Sequence, residues 1–161
     1  MIRWRLSDKT LCHWPARPKG IIEIIGGSYL SFKPEISYKI LLDELAKKNL
    51  AIHLWSYVPS FDHQTQANQA WKSLRKARKS LEGRVGKLPS PFRMGHSLGC
   101  KLHLISPDGG RNSQGLIALS FNNFPAKKSV PLLGKINSKF NYQKEFSPNT
   151  KETLKLILNQ Y

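Results

Sequence analysis

Gly95-His96-Ser97-Leu98-Gly99 constrains this chain more than any other stretch. It follows the run Pro91-Phe92-Arg93-Met94 and precedes Cys100-Lys101-Leu102-His103-Leu104-Ile105, which reads as the opening of a helix. A G-x-S-x-G sequence at a strand-to-helix junction is a nucleophile elbow, a turn so tight that side chains at the two glycine positions would collide with their neighbours. The serine backbone is strained there, and its hydroxyl stands clear of the sheet. Amides at the start of the helix then face whatever negative charge develops beside that oxygen. Such a turn belongs in an α/β architecture.

The remaining segments fit that architecture. Lys19 to Gly27 reads as a buried strand ended by glycines. Pro34 to Lys48 reads as a helix with Ile36, Ile40, Leu41, Leu45 and Ala46 on one face. Ala51 to Val58 is a second strand, stopped by Pro59. Gln66 to Glu82 gives the clearest helical pattern. Ala67, Ala70, Trp71, Leu74, Ala77 and Leu81 form its apolar stripe, and Lys72, Arg75, Lys76 and Lys79 decorate the other faces. A third strand leads into the elbow, and Gly115 to Phe121 reads as a fourth, ending at Asn122-Asn123. Residues 124–144 lack a period and read as loop. Ser147-Pro148 has the chemistry of a helix start, with Leu154, Ile157 and Leu158 lining a last helix to Tyr161. Strands alternating with helices predict βαβ units and a mainly parallel sheet in a single domain over residues 1–161.

The chain has 161 residues, enough for one ordinary core, and its 40% hydrophobic content argues against general disorder. No run approaches the ~20 apolar residues of a membrane span. The N-terminus lacks the apolar stretch of a secretory signal, which predicts a cytoplasmic protein. Cys12 and Cys100 read as reduced structural thiols, and no residue pattern asks for a metal or a cofactor. The net charge of +16 raises polyanion binding as an alternative function. Its carriers, however, are spread over Arg3 to Lys19, Lys72 to Arg93 and Lys127 to Lys144 without a recognised nucleic-acid motif. That distribution argues against specific nucleic-acid recognition and leaves only a sequence-independent interaction.

A serine hydroxyl needs a base to take its proton and donors to stabilise an oxyanion. Ser97 supplies the hydroxyl, and the amide of Leu98 is the expected first donor. The second is expected from the Gly26-Gly27-Ser28-Tyr29 loop, at Gly27 and Ser28. The base is harder to find. After Ser97 the one histidine is His103, about 9 Å further along the same helix at 1.5 Å per residue, too far to serve. Asp108, Glu145 and Glu152 are the later carboxylates, with no further histidine to orient. His96 adjoins Ser97 but points away from it. Asp62-His63 follows the second predicted strand, on the carboxyl edge where ligands gather, which makes His63 the candidate base. The competing reading of His63 is a loop histidine at the surface. His13 and His53 read as structural.

Four segments together point to one family. They are Pro18-Lys19-Gly20-Ile21-Ile22-Glu23-Ile24-Ile25-Gly26-Gly27, Phe61-Asp62-His63-Gln64, the elbow with its Cys100-Lys101-Leu102-His103-Leu104 extension, and Ser120-Phe121-Asn122-Asn123-Phe124-Pro125-Ala126. The chain resembles the "domain of unknown function 1350" family, α/β-hydrolase-like proteins of cyanobacteria and plastids. The resemblance implies a three-layer α/β sandwich with Ser97 at the elbow, and it carries no substrate. Family members are longer. The resemblance therefore implies a C-terminally truncated fold, without the units that bring the acid and histidine of a triad. It also implies an open sheet edge for a partner or a second copy to cover. The expected function is a serine hydrolase acting on an ester, thioester or similar acyl bond of an unknown small acyl substrate, inactive or nearly so as this chain. The alternative is a non-catalytic binding or scaffold protein that keeps the elbow as architecture.

Overall fold

The computed structural model describes residues 2–121. The segments expected at 124–144 and at Ser147 to Tyr161 lie outside the described residues. Ten elements follow in chain order: β1 (Arg5–Ser7), β2 (Thr10–His13), β3 (Ile21–Ile25), α1 (Pro34–Ser37), α2 (Lys39–Lys47), β4 (Ala51–Trp55), α3 (His63–Val85), β5 (Phe92–His96), α4 (Leu98–Leu104) and β6 (Gly115–Leu119).

The strands form one sheet in the order β1-β2-β4-β3-β5-β6. β3 pairs in parallel with β4 and β5, and β5 with β6, while β1 and β2 add an antiparallel hairpin beside β4. β3 is central and buried at every position. Its side chains alternate between two cores, as a strand covered on both faces must. Ile25 joins Trp55, Ala67, Ala70, Leu74 and Leu102 beneath α3 and α4. Ile22 and Ile24 join Leu42, Ile52, Leu54 and Met94 on the other face, beneath α2. The result is an α/β fold of three layers with a mainly parallel sheet.

Two expectations need correction. The sheet has six described strands rather than four, because β1 and β2 are three and four residues long and carry no apolar run to betray them. The helix expected over 34–48 is two helices broken at Tyr38, whose φ of −110° and ψ of 19° leave the helical path. The break shifts the phase of the second helix. Ile36 and Ile40, expected inside, are 65% and 83% exposed, and Leu42 is buried instead.

α3 extends the expected helix by three residues at each end. The Asp62 side chain caps it by accepting the Thr65 N–H at 2.9 Å, and Gly86 at φ 87° terminates it. No helix among the described residues is long and apolar enough to cross a membrane.

Candidate active site

Ser97 sits between β5 and α4 with φ 51° and ψ −116°, a conformation costly for any residue with a side chain. It is exposed, whereas Gly95 and Gly99 on either side of it are buried. Both glycines are sterically required. A Cβ on Gly95 would lie 2.4 Å from the Cys100 nitrogen, and one on Gly99 would lie 2.0 Å from the Ile25 carbonyl oxygen. The turn is closed by two backbone bonds. The Ser97 N–H donates to the Leu119 carbonyl at 2.9 Å, and the Cys100 N–H donates to the Ser97 carbonyl at 3.1 Å. Leu98 is the first residue of α4, so its amide has no partner within the helix.

The loop after β3 comes up against this turn. A Cβ on Gly27 would lie 2.8 Å from His96 Nδ1 and 3.3 Å from Ser97 Cβ. Two tyrosines hold the loop. The Gly27 N–H donates to the Tyr38 hydroxyl at 3.0 Å, and the Tyr57 hydroxyl donates to the Gly26 carbonyl at 2.9 Å. Tyr38 in turn lies 2.8 Å from His96 Nδ1, with the two rings edge to face. Burial raises the Tyr38 hydroxyl pKa, against the pull of the Gly27 N–H, so the phenol stays protonated while its oxygen accepts that N–H. The glycine pair therefore makes room for the rings of Tyr38 and His96. The Gly27 amide is already occupied, while the Ser28 N–H has no acceptor among the described residues.

His63 opens α3, and its Nδ1 lies 2.9 Å from the Lys101 ammonium on α4. Burial, reinforced by that positive charge, pushes its pKa down to about 4, so the ring is neutral at neutral pH. The structure thus brings Gly27 against Ser97, with Leu98 next to it in the chain and Ser28 next to Gly27, and ties His63 to Lys101. No side chain among the described residues is hydrogen-bonded to the Ser97 hydroxyl. His103 is buried, with Nε2 at 3.2 Å from the Met94 carbonyl, and His53 is buried with Nε2 accepting the Trp14 indole N–H at 2.9 Å. His13 packs edge to face on Trp4. Cys12 and Cys100 are buried free thiols.

A buried ionic cluster braces the elbow from below. Arg93 on β5, two residues before Gly95, makes two 2.8 Å bonds to the carboxylate of Asp108, which follows α4. Glu23 lies beside Arg93 in strand register, with Nε and Oε2 3.6 Å apart, and Arg78 of α3 approaches Glu23 at 3.5 Å. A cavity of about 10 Å³, room for one water, is lined by Glu23, Trp71, Arg93, His103 and Ser106 among others. Burial alone would raise the Asp108 carboxyl pKa, but the Arg93 hydrogen bonds and charge outweigh it and hold it below the usual carboxylate range. Asp108→Asn is expected to destabilise the protein by about 3 kcal/mol or more, because it leaves a buried guanidinium short of charge. Urea unfolding measures this, and a midpoint shift equivalent to under about 1 kcal/mol would contradict it.

Sequence reading missed Tyr38 and this cluster. The cluster had a signal. Glu23 and Arg93 interrupt otherwise apolar strands with opposite charges, and buried charges must be paired. Tyr38 had none, because its role depends on a helix break that periodicity concealed.

The family model described as "Protein of unknown function (DUF1350)" matches residues 3–161. The chain belongs to the DUF1350 family. No curated protein matches it in sequence. Among solved structures, this DUF1350 member is similar to TT1662 from Thermus thermophilus, at 22% identity and a TM-score of 0.56, over 94% of this chain and 66% of that one. It is similar to a carboxyl esterase from Bacillus coagulans at 17% identity and a TM-score of 0.55, over 96% of this chain and 55% of the esterase. Esterase 2 from Thermogutta terrifontis, solved phosphonylated by sarin, aligns at 13% identity and a TM-score of 0.58, over 88% and 64%. At these identities the likeness establishes an α/β-hydrolase fold, and the DUF1350 chain spans between 55% and 66% of the length of those structures.

Proposed function

We propose that this chain carries the nucleophile-bearing part of a serine hydrolase acting on an ester, thioester or similar acyl bond, with Ser97 as nucleophile. The observation that carries the reading is the strained, exposed serine held by two glycines that no other residue could replace. Strain of that kind survives where the surroundings over-determine it, and it suits an oxygen that must stand clear to attack. The oxyanion would be met by the amides of Leu98 and Ser28. Gly27 contributes close packing of its loop rather than its N–H, which Tyr38 already occupies. Tyr29, Phe32, Val58 and Phe61 stand exposed in the loops that follow β3 and β4, on the edge where Ser97 sits, and suit an apolar acyl group. The base would come from outside residues 2–121. His63 could serve only after leaving Lys101.

The test is a fluorophosphonate probe, the reaction class in which the Thermogutta terrifontis esterase was phosphonylated by sarin. Slow labelling that disappears in Ser97→Ala is the expected result. Ester turnover should stay near background, because an elbow and oxyanion donors without a complete triad give only roughly 10³–10⁴-fold over water. Folded protein that never labels would leave the elbow as architecture in a non-catalytic scaffold.

A further inference from the structure

The Tyr38 hydroxyl stands at the junction of three groups that have no other reason to meet. It accepts the N–H of Gly27, it lies 2.8 Å from Nδ1 of His96, and its ring occupies the space a Gly26 Cβ would need, 2.9 Å from Tyr38 Cε2. The residue reaches this position because α1 and α2 break at Tyr38 itself. Its own N–H is held by Pro34 and its carbonyl by Leu42, so both stubs of backbone are fixed at 3.0 and 2.9 Å. His96 and Ser97 are consecutive, and Gly27 lies against both.

We infer that Tyr38 is a positioning residue for Ser97: its hydroxyl ties the loop after β3 to His96, holding Gly27 against the serine and leaving Ser28 as that loop's available donor. The inference rests on the hydrolase reading above and adds a residue that lies 59 positions from the serine in sequence. Without the hydroxyl, the Gly27 N–H and His96 Nδ1 both lose their partner, and the loop is free to retreat from the elbow. Phenylalanine at 38 keeps the ring against Gly26 and removes only the oxygen.

Two readouts test this on the chain as it stands. The first is the second-order rate of fluorophosphonate labelling at Ser97. Tyr38→Phe is expected to slow it by at least about tenfold, somewhat less than loss of an oxyanion donor itself. Tyr57→Phe removes a hydrogen bond from the Gly26 carbonyl of the same loop without touching His96, and should slow labelling clearly less than Tyr38→Phe does. Equal rates for Tyr38→Phe and wild type, or equal slowing in both variants, would overturn the inference.

The second readout is NMR of the Gly27 amide and the His96 ring nitrogens, which does not depend on reaction. Both sets of resonances should move in Tyr38→Phe, whereas in Tyr57→Phe the Gly27 amide, which shares its peptide group with the Gly26 carbonyl, moves and the His96 ring nitrogens stay in place. Resonances that do not move in Tyr38→Phe overturn the tether whatever the labelling shows. A wild type that fails to label overturns the hydrolase reading instead, and the tether is then decided by the resonances.

Discussion

Gly99→Ala is expected to leave this chain unable to hold its fold. The added methyl would sit 2.0 Å from the Ile25 carbonyl oxygen, 2.7 Å from its carbon and 2.9 Å from the Gly26 oxygen. Nonbonded heavy atoms prefer roughly 3.5–4.0 Å, and closer approach is steeply repulsive. All three obstacles are backbone, and they belong to the end of β3, which is clamped in the sheet between β4 and β5. Neither side can yield cheaply. α4 would have to lift from the sheet, taking Leu102 and Cys100 out of the core they fill. We expect a loss above about 4 kcal/mol, a large share of the 5–15 kcal/mol that stabilises an ordinary domain. Gly83→Ala in α3 is the matched control. A Cβ there meets nothing within 4 Å, and alanine favours a helix by about 1 kcal/mol over glycine. Urea unfolding of the pair decides the matter. A Gly99→Ala midpoint close to that of Gly83→Ala would mean the helix and strand are not packed this closely.

Mild acid should be nearly as damaging. His53 is fully buried, and burial together with the Arg78 charge pushes its pKa down to about 3. His103 is equally enclosed, and burial, then the Arg93 charge, likewise pushes its pKa to about 3. In the unfolded chain both titrate near 6.5. Between these values the unfolded state binds two protons that the native state refuses, so stability falls as pH falls. Each group costs about 1.4 kcal/mol per pH unit in that window. From pH 6.5 to 4.5 the two together remove about 5 kcal/mol, and His63, with its pKa near 4, acts in the same direction. Asp108 adds nothing until the pH drops below about 4, where its depressed pKa begins to count. Urea midpoints measured from pH 7.5 down to 5 should therefore decline steadily, and His53→Gln should flatten the slope. A midpoint that holds level over that range would show that these rings charge in place.

The elbow was legible because its chemistry is local. Two glycines, a serine and a following helix announce themselves in five residues, and the steric need for Gly95 and Gly99 is what the motif encodes. The central strands were equally plain, since β3 and β4 are buried throughout and read as apolar runs. What escaped the sequence depended on contacts between distant segments. The β1–β2 hairpin is stabilised by pairing with β4 rather than by its own hydrophobicity. The two short helices differ from one continuous helix only by the conformation of Tyr38, and that single residue moved Ile40 outward and Leu42 inward. The role of the Gly26-Gly27 pair changed in the same way. Expected to supply a donor, the pair instead leaves room for aromatic rings carried in from residues 38 and 96.

The bond from the Ser97 amide to the Leu119 carbonyl joins the serine's main chain to the last residue of β6, the outermost described strand beside β5. The strained dihedrals at position 97 are thus anchored sideways as well as along the chain. Any body that grips the far flank of β6 would stiffen the serine without approaching it, and any fraying of that flank would let the strain relax. Solvent exchange at one amide proton, that of Ser97, consequently registers how firmly the border of the sheet is seated.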